Sequence, residues 1–198
     1  MTGDENEARL RAQIMLASYA NDEQRVREFL NNPAPRLRAS ALSALVNMEA
    51  ACEQDGRMAV QDPEPIVRIR ACELAPKLPG ADYKRLLSDK EYTVIEAACF
   101  AVGEMSDGHA VPKLQAIALK HKEPICRESA VAALGAIGDS KAIPCLIEKL
   151  NDSHNIRRRA VLALSVFIDD DDALAAIRSR SDDRDWQVRQ IVETILFK

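Results

Sequence analysis

The chain has 198 residues, is 47% hydrophobic but only 4% aromatic, and carries a net charge of −4. That length and composition suit a single elongated domain whose core is built from Ala, Leu, Ile and Val, because strand-forming residues are concentrated nowhere along it. The acidic balance excludes the broad positive field that phosphate binding draws on, and no apolar run approaches membrane-spanning length.

The first predicted element is a lone helix near residues 5–20, in which Leu10, Ile14, Met15, Leu16 and Tyr19 are expected to cover the helices next in the chain. Beyond it a pattern returns: Asn32-Pro33-Ala34-Pro35-Arg36-Leu37-Arg38, then Asp62-Pro63-Glu64-Pro65-Ile66-Val67-Arg68, then four looser copies. Aligned on the residue after the apolar position, the copies put Arg38, Arg68, Ile95, Arg127, Arg157 and Arg189 in one register, 27 to 32 residues apart. A fixed period of that size marks stacked helical repeats. Three residues further on stand Ala41, Ala71, Ala98, Ala130, Ala160 and Val192, nearly all of them small, which lets helices pack closely. Ahead of each such helix lies a second apolar stretch, clearest as Ala110-Val111-Pro112-Lys113-Leu114 and Ala142-Ile143-Pro144-Cys145-Leu146, with proline where a first helical turn tolerates it. Each repeat is therefore expected to be a helical hairpin. Second helices are predicted near 35–47, 65–78, 91–104, 124–137, 155–168 and 185–197. The domain reading is one unit over 1–198, with a cap helix at 1–20 and six hairpins over 21–198, forming a curved rod on the order of 60 Å long.

The residues that carry this period resemble a known family. A second helix that opens Asp-Pro-x-Pro-x-Val-Arg-x-x-Ala and continues Ala-Leu-Gly-x-Ile-Gly, followed by Ala-Ile-Pro-x-Leu, is similar to a HEAT repeat of the variety first noted in phycobilin lyases. Cys126-Arg127-Glu128-Ser129-Ala130-Val131-Ala132-Ala133-Leu134-Gly135-Ala136-Ile137-Gly138-Asp139 is the best match, and the resemblance covers roughly residues 20 to 197. It implies an all-α, right-handed alpha-alpha superhelix (solenoid) of about six hairpins with an N-terminal capping helix. It is specific for fold and poor for function.

Stepping 100° per residue from the apolar residue before the arginine, offsets 0, 4, 7, 8 and 11 point inward, and offsets 2, 6 and 9 point out. The outward sets read Ala39/Ser43/Val46, Ile69/Glu73/Pro76, Glu96/Phe100/Gly103, Glu128/Ala132/Gly135, Arg158/Leu162/Ser165 and Gln190/Thr194/Phe197. In related folds that face lines the concave side. It is explained either by small residues that let second helices crowd together or by a groove with apolar contacts at Ile69, Phe100 and Leu162 and acidic ones at Glu73, Glu96 and Glu128. Such a groove suits a basic amphipathic helix or an extended peptide. Arg158 completes the set of partner-binding candidates.

The arginine row is read as structural, a ladder of Asp–Arg hydrogen bonds in which Asp62, Asp89 and Asp152 recur just before second helices. Ile95 breaks it in the third repeat, where a change of curvature is expected. Offset 5 faces a neighbouring repeat and carries Leu42, Cys72, Cys99, Val131 and Val161, but Glu193 in the last repeat, as expected of a capped end and a monomer. Five cysteines, at 52, 72, 99, 126 and 145, fall in predicted helices and read as small buried hydrophobes of a reducing compartment. Together with the acidic start Met1-Thr2-Gly3-Asp4-Glu5-Asn6-Glu7, unlike a signal peptide, they give a cytoplasmic expectation.

Catalytic readings find little to stand on. Deoxyhypusine hydroxylases carry His-Glu pairs on such repeats to hold two irons, whereas here His109 precedes Ala110, His121 precedes Lys122 and His154 precedes Asn155. There is no Gly-x-Ser-x-Gly elbow and no phosphate-binding glycine loop. A HEAT-like alkylpurine DNA glycosylase reading would rest on Arg157-Arg158-Arg159, Arg178, Arg180, Arg184 and Arg189, near Trp186. From residue 120 onward, however, thirteen Lys and Arg meet thirteen Asp and Glu. Asp169-Asp170-Asp171-Asp172 reads as a turn and helix cap rather than a calcium loop. A bilin lyase-like, chromophore-handling role has only the repeat unit behind it, with Glu96 or Glu128 as the acid. The sequence therefore points to a non-catalytic scaffold or adaptor, without cofactor or metal, that binds another protein or peptide along its concave face.

Overall fold

The structure is a computed structural model and describes residues 3–197. Among them there is no strand, and thirteen α-helices follow one another in chain order. Helix α1 (Gly3–Tyr19) stands alone, and six hairpins follow: α2 (Glu23–Arg27) with α3 (Pro35–Asn47), α4 (Glu53–Ala59) with α5 (Pro65–Glu73), α6 (Tyr83–Leu86) with α7 (Tyr92–Glu104), α8 (Val111–Lys120) with α9 (Pro124–Ile137), α10 (Ile143–Lys149) with α11 (His154–Leu164), and α12 (Asp171–Arg178) with α13 (Trp186–Leu196). Short 3-10 turns extend α2 and α11 and lead into α8 and α10. The chain is an all-α helical repeat protein of the solenoid class. Its contacts divide it into two compact units, one up to Ala98 and one from Cys99.

The start of each second helix follows from local chemistry. Proline opens α3, α5 and α9 at a position whose N–H would have had no helical partner. Two residues ahead of the cap, a side-chain acceptor turns the chain: Asn32 Oδ1 accepts from the Ala34 amide (2.9 Å), Asp62 Oδ1 from Glu64 (2.9 Å), Asp89 Oδ1 from Glu91 (3.0 Å) and Asp183 Oδ1 from Asp185 (2.9 Å). In the fourth repeat His121 Nδ1 takes the same role for Glu123 (3.2 Å). Helix ends have equally local causes: Gly138 closes α9 in the left-handed region at φ 71°.

In the N-terminal unit the core joins Ile14 and Ala17 of α1 to Val26, Phe29, Leu37, Ala41, Ala44 and Leu45 of the first hairpin. Helix α1 covers the hairpin with only part of the expected set. Met15, Leu16 and Tyr19 are exposed, because they lie about half a turn around the helix from Leu10, Ile14 and Ala17. The inward offsets of the second helices are buried as the period requires, among them Val67 and Ala71 in α5, Cys126, Ala130 and Leu134 in α9, and Ile156, Ala160 and Leu164 in α11. Offset 5 is buried at Leu42, Cys72, Cys99, Val131 and Val161 and exposed at Glu193.

Two boundaries differ from the sequence reading. Helix α5 stops at Glu73, short of 78, because Pro76 has no amide to donate and clashes with a preceding turn. Helix α11 stops at Leu164 and tightens into a 3-10 turn over Ser165–Phe167. Cys52 is also displaced from expectation. It is exposed and precedes α4, where its amide donates to Asp55 Oδ2 (2.8 Å), whereas Cys72, Cys99, Cys126 and Cys145 are buried.

The arginine row forms the ladder. In the N-terminal unit Asp62 accepts from Arg38 Nε (2.8 Å) and Nη2 (2.6 Å), and Asp89 accepts from Arg68 Nε (2.7 Å) and Nη2 (2.8 Å). Arg68 Nη1 also donates to the carbonyls of Asp62 (2.7 Å) and Pro63 (3.0 Å), so Asp62 ties two arginines to one loop. Arg27 makes a comparable pair with the buried Asp55 (3.0 Å). In the C-terminal unit Arg127 meets Asp152 and Arg157 meets Asp183, both through Nε and Nη2. Arg189 Nη1 reaches the Asp183 carbonyl (2.6 Å). The row is interrupted once: Ile95 holds the arginine position of α7 and is buried, and His121 holds the aspartate position ahead of α9.

Burial pushes the Asp89, Asp152 and Asp183 carboxyls up, but the guanidiniums and loop amides outweigh it, holding Asp89 and Asp183 below the usual carboxylate range and Asp152 down at about 2. Their folded values lie below the unfolded value of about 4, so the stability they contribute is complete above that pH and lost as pH falls through the folded values. Stability to urea is accordingly expected to hold from pH 7 to 5 and to fall between about pH 4 and pH 2, with Asp152→Asn flattening that fall; an unchanged acid slope in the variant would count against the ladder. The side chains of Arg157 and Asp183 are only 5% and 4% exposed. Arg157→Ala leaves a buried carboxylate without its partner and is expected to cost about 3–5 kcal/mol in urea titration. Arg159→Ala, at an exposed side chain 3.7 Å from Glu128, should cost under about 1 kcal/mol.

Candidate functional site

The outward face of the second helices splits into positions that touch a neighbouring helix and positions that meet solvent. Offset 9 belongs largely to the first group, which corrects the sequence reading. Val46, Gly103 and Gly135 are buried, as is Ala39 at offset 2, and Pro76 lies beyond the end of α5. The cause is close packing between successive second helices. A Cβ built on Gly135 would lie 2.7 Å from Ala163 Cβ and 2.8 Å from its Cα; one on Gly103 would lie 3.2 Å from Ala133 Cα. In both cases offset 9 of one repeat meets offset 7 of the next, so crowding explains the small residues there.

Offset 6 is the row that remains open. In the C-terminal unit it carries Phe100, 59% exposed, the half-buried Ala132, Leu162, 44% exposed, and the exposed Thr194. Two large apolar side chains are thus presented on either side of a methyl. Glu128 and Arg158 stand one turn earlier on α9 and α11, both half-buried. Glu128 lies 3.7 Å from Arg159, and Arg158 donates to Gln187 Oε1 and to Asn155 Oδ1. Arg158 is therefore engaged within its own unit, which lowers its availability to a partner.

In the N-terminal unit Ile69 is half-buried on α5, with Glu73 exposed one turn later and paired to Arg70 at 3.1 Å. Glu96 is half-buried on α7, one turn ahead of Phe100. Beside α3 a cavity of about 740 Å³ is bordered by Met15, Tyr19, Ser43, Asn47 and Arg70. A second cavity, of about 430 Å³, lies in the C-terminal unit between α11 and α13, with Leu162, Ile168, Ile191 and Ile195 among its walls. Sequence reasoning puts Leu162, Ser165, Gln190 and Thr194 of its lining on the outward face and takes Leu162 among them as partner-binding. Ile168 follows directly on the 3-10 turn over Ser165–Phe167 and is exposed.

The described residues hold no group of three or more His, Cys, Asp or Glu arranged to bind a metal ion. His109 and His154 are exposed and His121 serves its own loop, so these residues do not fit a pair of His-Glu iron sites. Burial pushes the Cys72 thiol up to about 12 and the Cys145 thiol up to about 11, which keeps both protonated and poor nucleophiles at neutral pH. No described helix is long and apolar enough to cross a membrane.

Comparison with known proteins agrees with the fold. Residues 83–165 match the family of HEAT repeats. Over 89 residues the chain is 39% identical to deoxyhypusine hydroxylase-B of Oryza sativa subsp. japonica, a match that spans 42% of this chain and 29% of that protein. The chain therefore covers under a third of that relative's length. Among solved structures, an engineered protein superposes with a TM-score of 0.57 at 15% identity, covering 89% of this chain and 97% of its own. A designed armadillo repeat protein in complex with the peptide (KR)4 superposes with a TM-score of 0.49 at 16% identity, covering 94% and 85%.

Replacing glycine by alanine inside a helix ordinarily stabilises by about 0.5–1 kcal/mol. At Gly135 the sign is expected to reverse, with Gly135→Ala costing about 1–3 kcal/mol because the new methyl has no room against Ala163. Gly108 has no atom within 4 Å of its would-be Cβ, so Gly108→Ala should be neutral or stabilising in the same thermal unfolding series. A stabilising Gly135→Ala would show that the second helices are further apart than described.

Proposed function

We propose that this HEAT-repeat protein is a non-catalytic scaffold that binds another protein or a peptide through the open row of its second helices. The observation that carries the reading is the exposure of Phe100 and Leu162 at one register position, on either side of Ala132. Large apolar side chains standing in solvent on otherwise well-packed helices mark surfaces that a partner covers. Glu128 and Glu96 lie one turn from that row, and Ile69 and Glu73 occupy the corresponding register on α5. Acidic groups beside apolar contacts suit a partner segment that is basic and amphipathic. Arg158, held by Gln187 and Asn155, positions the α11–α13 pair in this reading rather than meeting the partner.

The test is retention of a native partner by tagged chain, compared between wild type and the double variant Phe100→Ser/Glu128→Lys. Phe100 is exposed and Glu128 only loosely paired, so the variant should keep its urea stability within about 1 kcal/mol. Recovery of the partner is expected to fall at least tenfold. Full retention by the double variant would refute the proposed surface, and nucleic acid or a pigment in the wild-type eluate would replace the reading with another.

A further inference from the structure

Near the end of each hairpin's first helix, three residues ahead of the ladder's acceptor position, stands a residue that the repeat places in the core. Phe29, Ala59, Leu86 and Ala118 occupy that place and are buried. Lys149 occupies it next, and its ammonium is matched by Asp152 Oδ2 at 3.1 Å. In the last hairpin the place falls to Arg180, which is half-buried.

Arg180 has no such match. Asp183, three residues on, gives both carboxylate oxygens to Arg157 and one of them also to the Asp185 amide. The charge of Arg180 helps hold that carboxyl low, but the two form no ion pair. Arg180 Nη2 donates to Asn151 Oδ1 (3.1 Å), an uncharged acceptor, and Nε is buried with no hydrogen-bond partner among the described residues. Arg38, Arg68, Arg127 and Arg157 each present that same edge, Nε with Nη2, to one carboxylate. On Arg180 the edge meets no carboxylate. The carbonyl end of α12 favours a cation there, but it supplies Nε with no acceptor.

A cavity of about 400 Å³ is bordered by both partners of this contact, Asn151 and Arg180, together with Ser179, Asp182 and Arg184. Arg157 and Asp183 also border it and neutralise one another. Arg184 is exposed and in no ion pair among the described residues, so the remaining wall sets two guanidiniums against the exposed Asp182. The volume lies within the range of sites for small ligands, about 300–1,000 Å³.

We propose that this cavity binds a phosphate group. Two of its oxygens take the Nε–Nη2 edge of Arg180 in the bidentate manner of the ladder, and a third meets Arg184. The exposed Asn151 turns its amide NH2 toward the anion in place of its oxygen. A carboxylate is the poorer ligand, because both of its oxygens are used on Arg180 and none is left for Arg184. The inference does not depend on the scaffold reading, since none of these residues stands in the open row of Phe100, Ala132 and Leu162.

The test uses the full chain and inorganic phosphate in isothermal titration, with ionic strength held fixed by chloride. The wild type is expected to bind phosphate at least tenfold more tightly than it binds acetate, and at least tenfold more tightly than Arg180→Leu binds phosphate. That variant places here the residue that Leu86 already supplies, so it should fold and keep its thermal stability. Arg184→Ala, at an exposed side chain, should weaken phosphate binding about threefold and repeats the comparison without touching a buried group. A phosphoserine hexapeptide and its unphosphorylated form identify what bears the group. Tighter binding of the phosphopeptide than of inorganic phosphate assigns the site to a phosphorylated segment, and equal or weaker binding assigns it to the free ion; both support the inference. Phosphate affinity that is unchanged in Arg180→Leu, no greater than that for acetate, or absent in the wild type would overturn it.

Discussion

The bidentate pair between an arginine of one second helix and the aspartate ahead of the next is the contact on which the repeats depend. Arg68 shows its reach: two nitrogens hold Asp89, while a third holds two carbonyls of the loop that begins its own helix. One side chain thereby fixes both the turn within a hairpin and the distance to the next hairpin. A buried ion pair contributes little net stability, because desolvation offsets much of the attraction. Its contribution here is positional. The planar guanidinium accepts only a narrow range of carboxylate placements, so each rung sets the offset at which one repeat meets another.

That offset decides what the second helices present. Where the Arg127–Asp152 rung joins α9 to α11, Gly135 faces Ala163 with no space for a side chain, and Gly103 meets Ala133 almost as closely without a rung. One predicted outward position is thereby converted into an interface. Offset 6 escapes because it lies beyond the line of contact, and it alone carries Phe100 and Leu162 into solvent. The small-residue pattern and the exposed apolar row are thus two consequences of the same spacing.

The hairpin count, the proline-led helix starts and the ladder partners of Arg38, Arg68 and Arg127 are legible in the repeat because each depends on residues near in sequence or on a period that recurs. The departures from the sequence reading have a common cause. Val46 and Ala39 point outward only by an angle measured on one isolated helix, which takes no account of a second helix packed beside it. Met15, Leu16 and Tyr19 are apolar enough to suggest covering residues, yet one helix face can carry only one stripe. Asp183 is hard to single out because the arginines around it dominate the sixth repeat. The cavity beside Ile168 lies between two helices, which an outward face drawn on one of them does not show.

The sequence by itself determined the architecture. A period near thirty, an alanine three places after five of the six arginine-row positions, and proline or an Asx-type acceptor before most second helices admit few arrangements besides stacked hairpins, since each signal acts over a single turn or a single neighbour. The tertiary structure alone decided which surface is left over. Exposure is a property of two helices at a given separation, and that separation is set by the buried Arg–Asp pairs and by the fit of glycine against alanine, which a one-dimensional pattern does not contain.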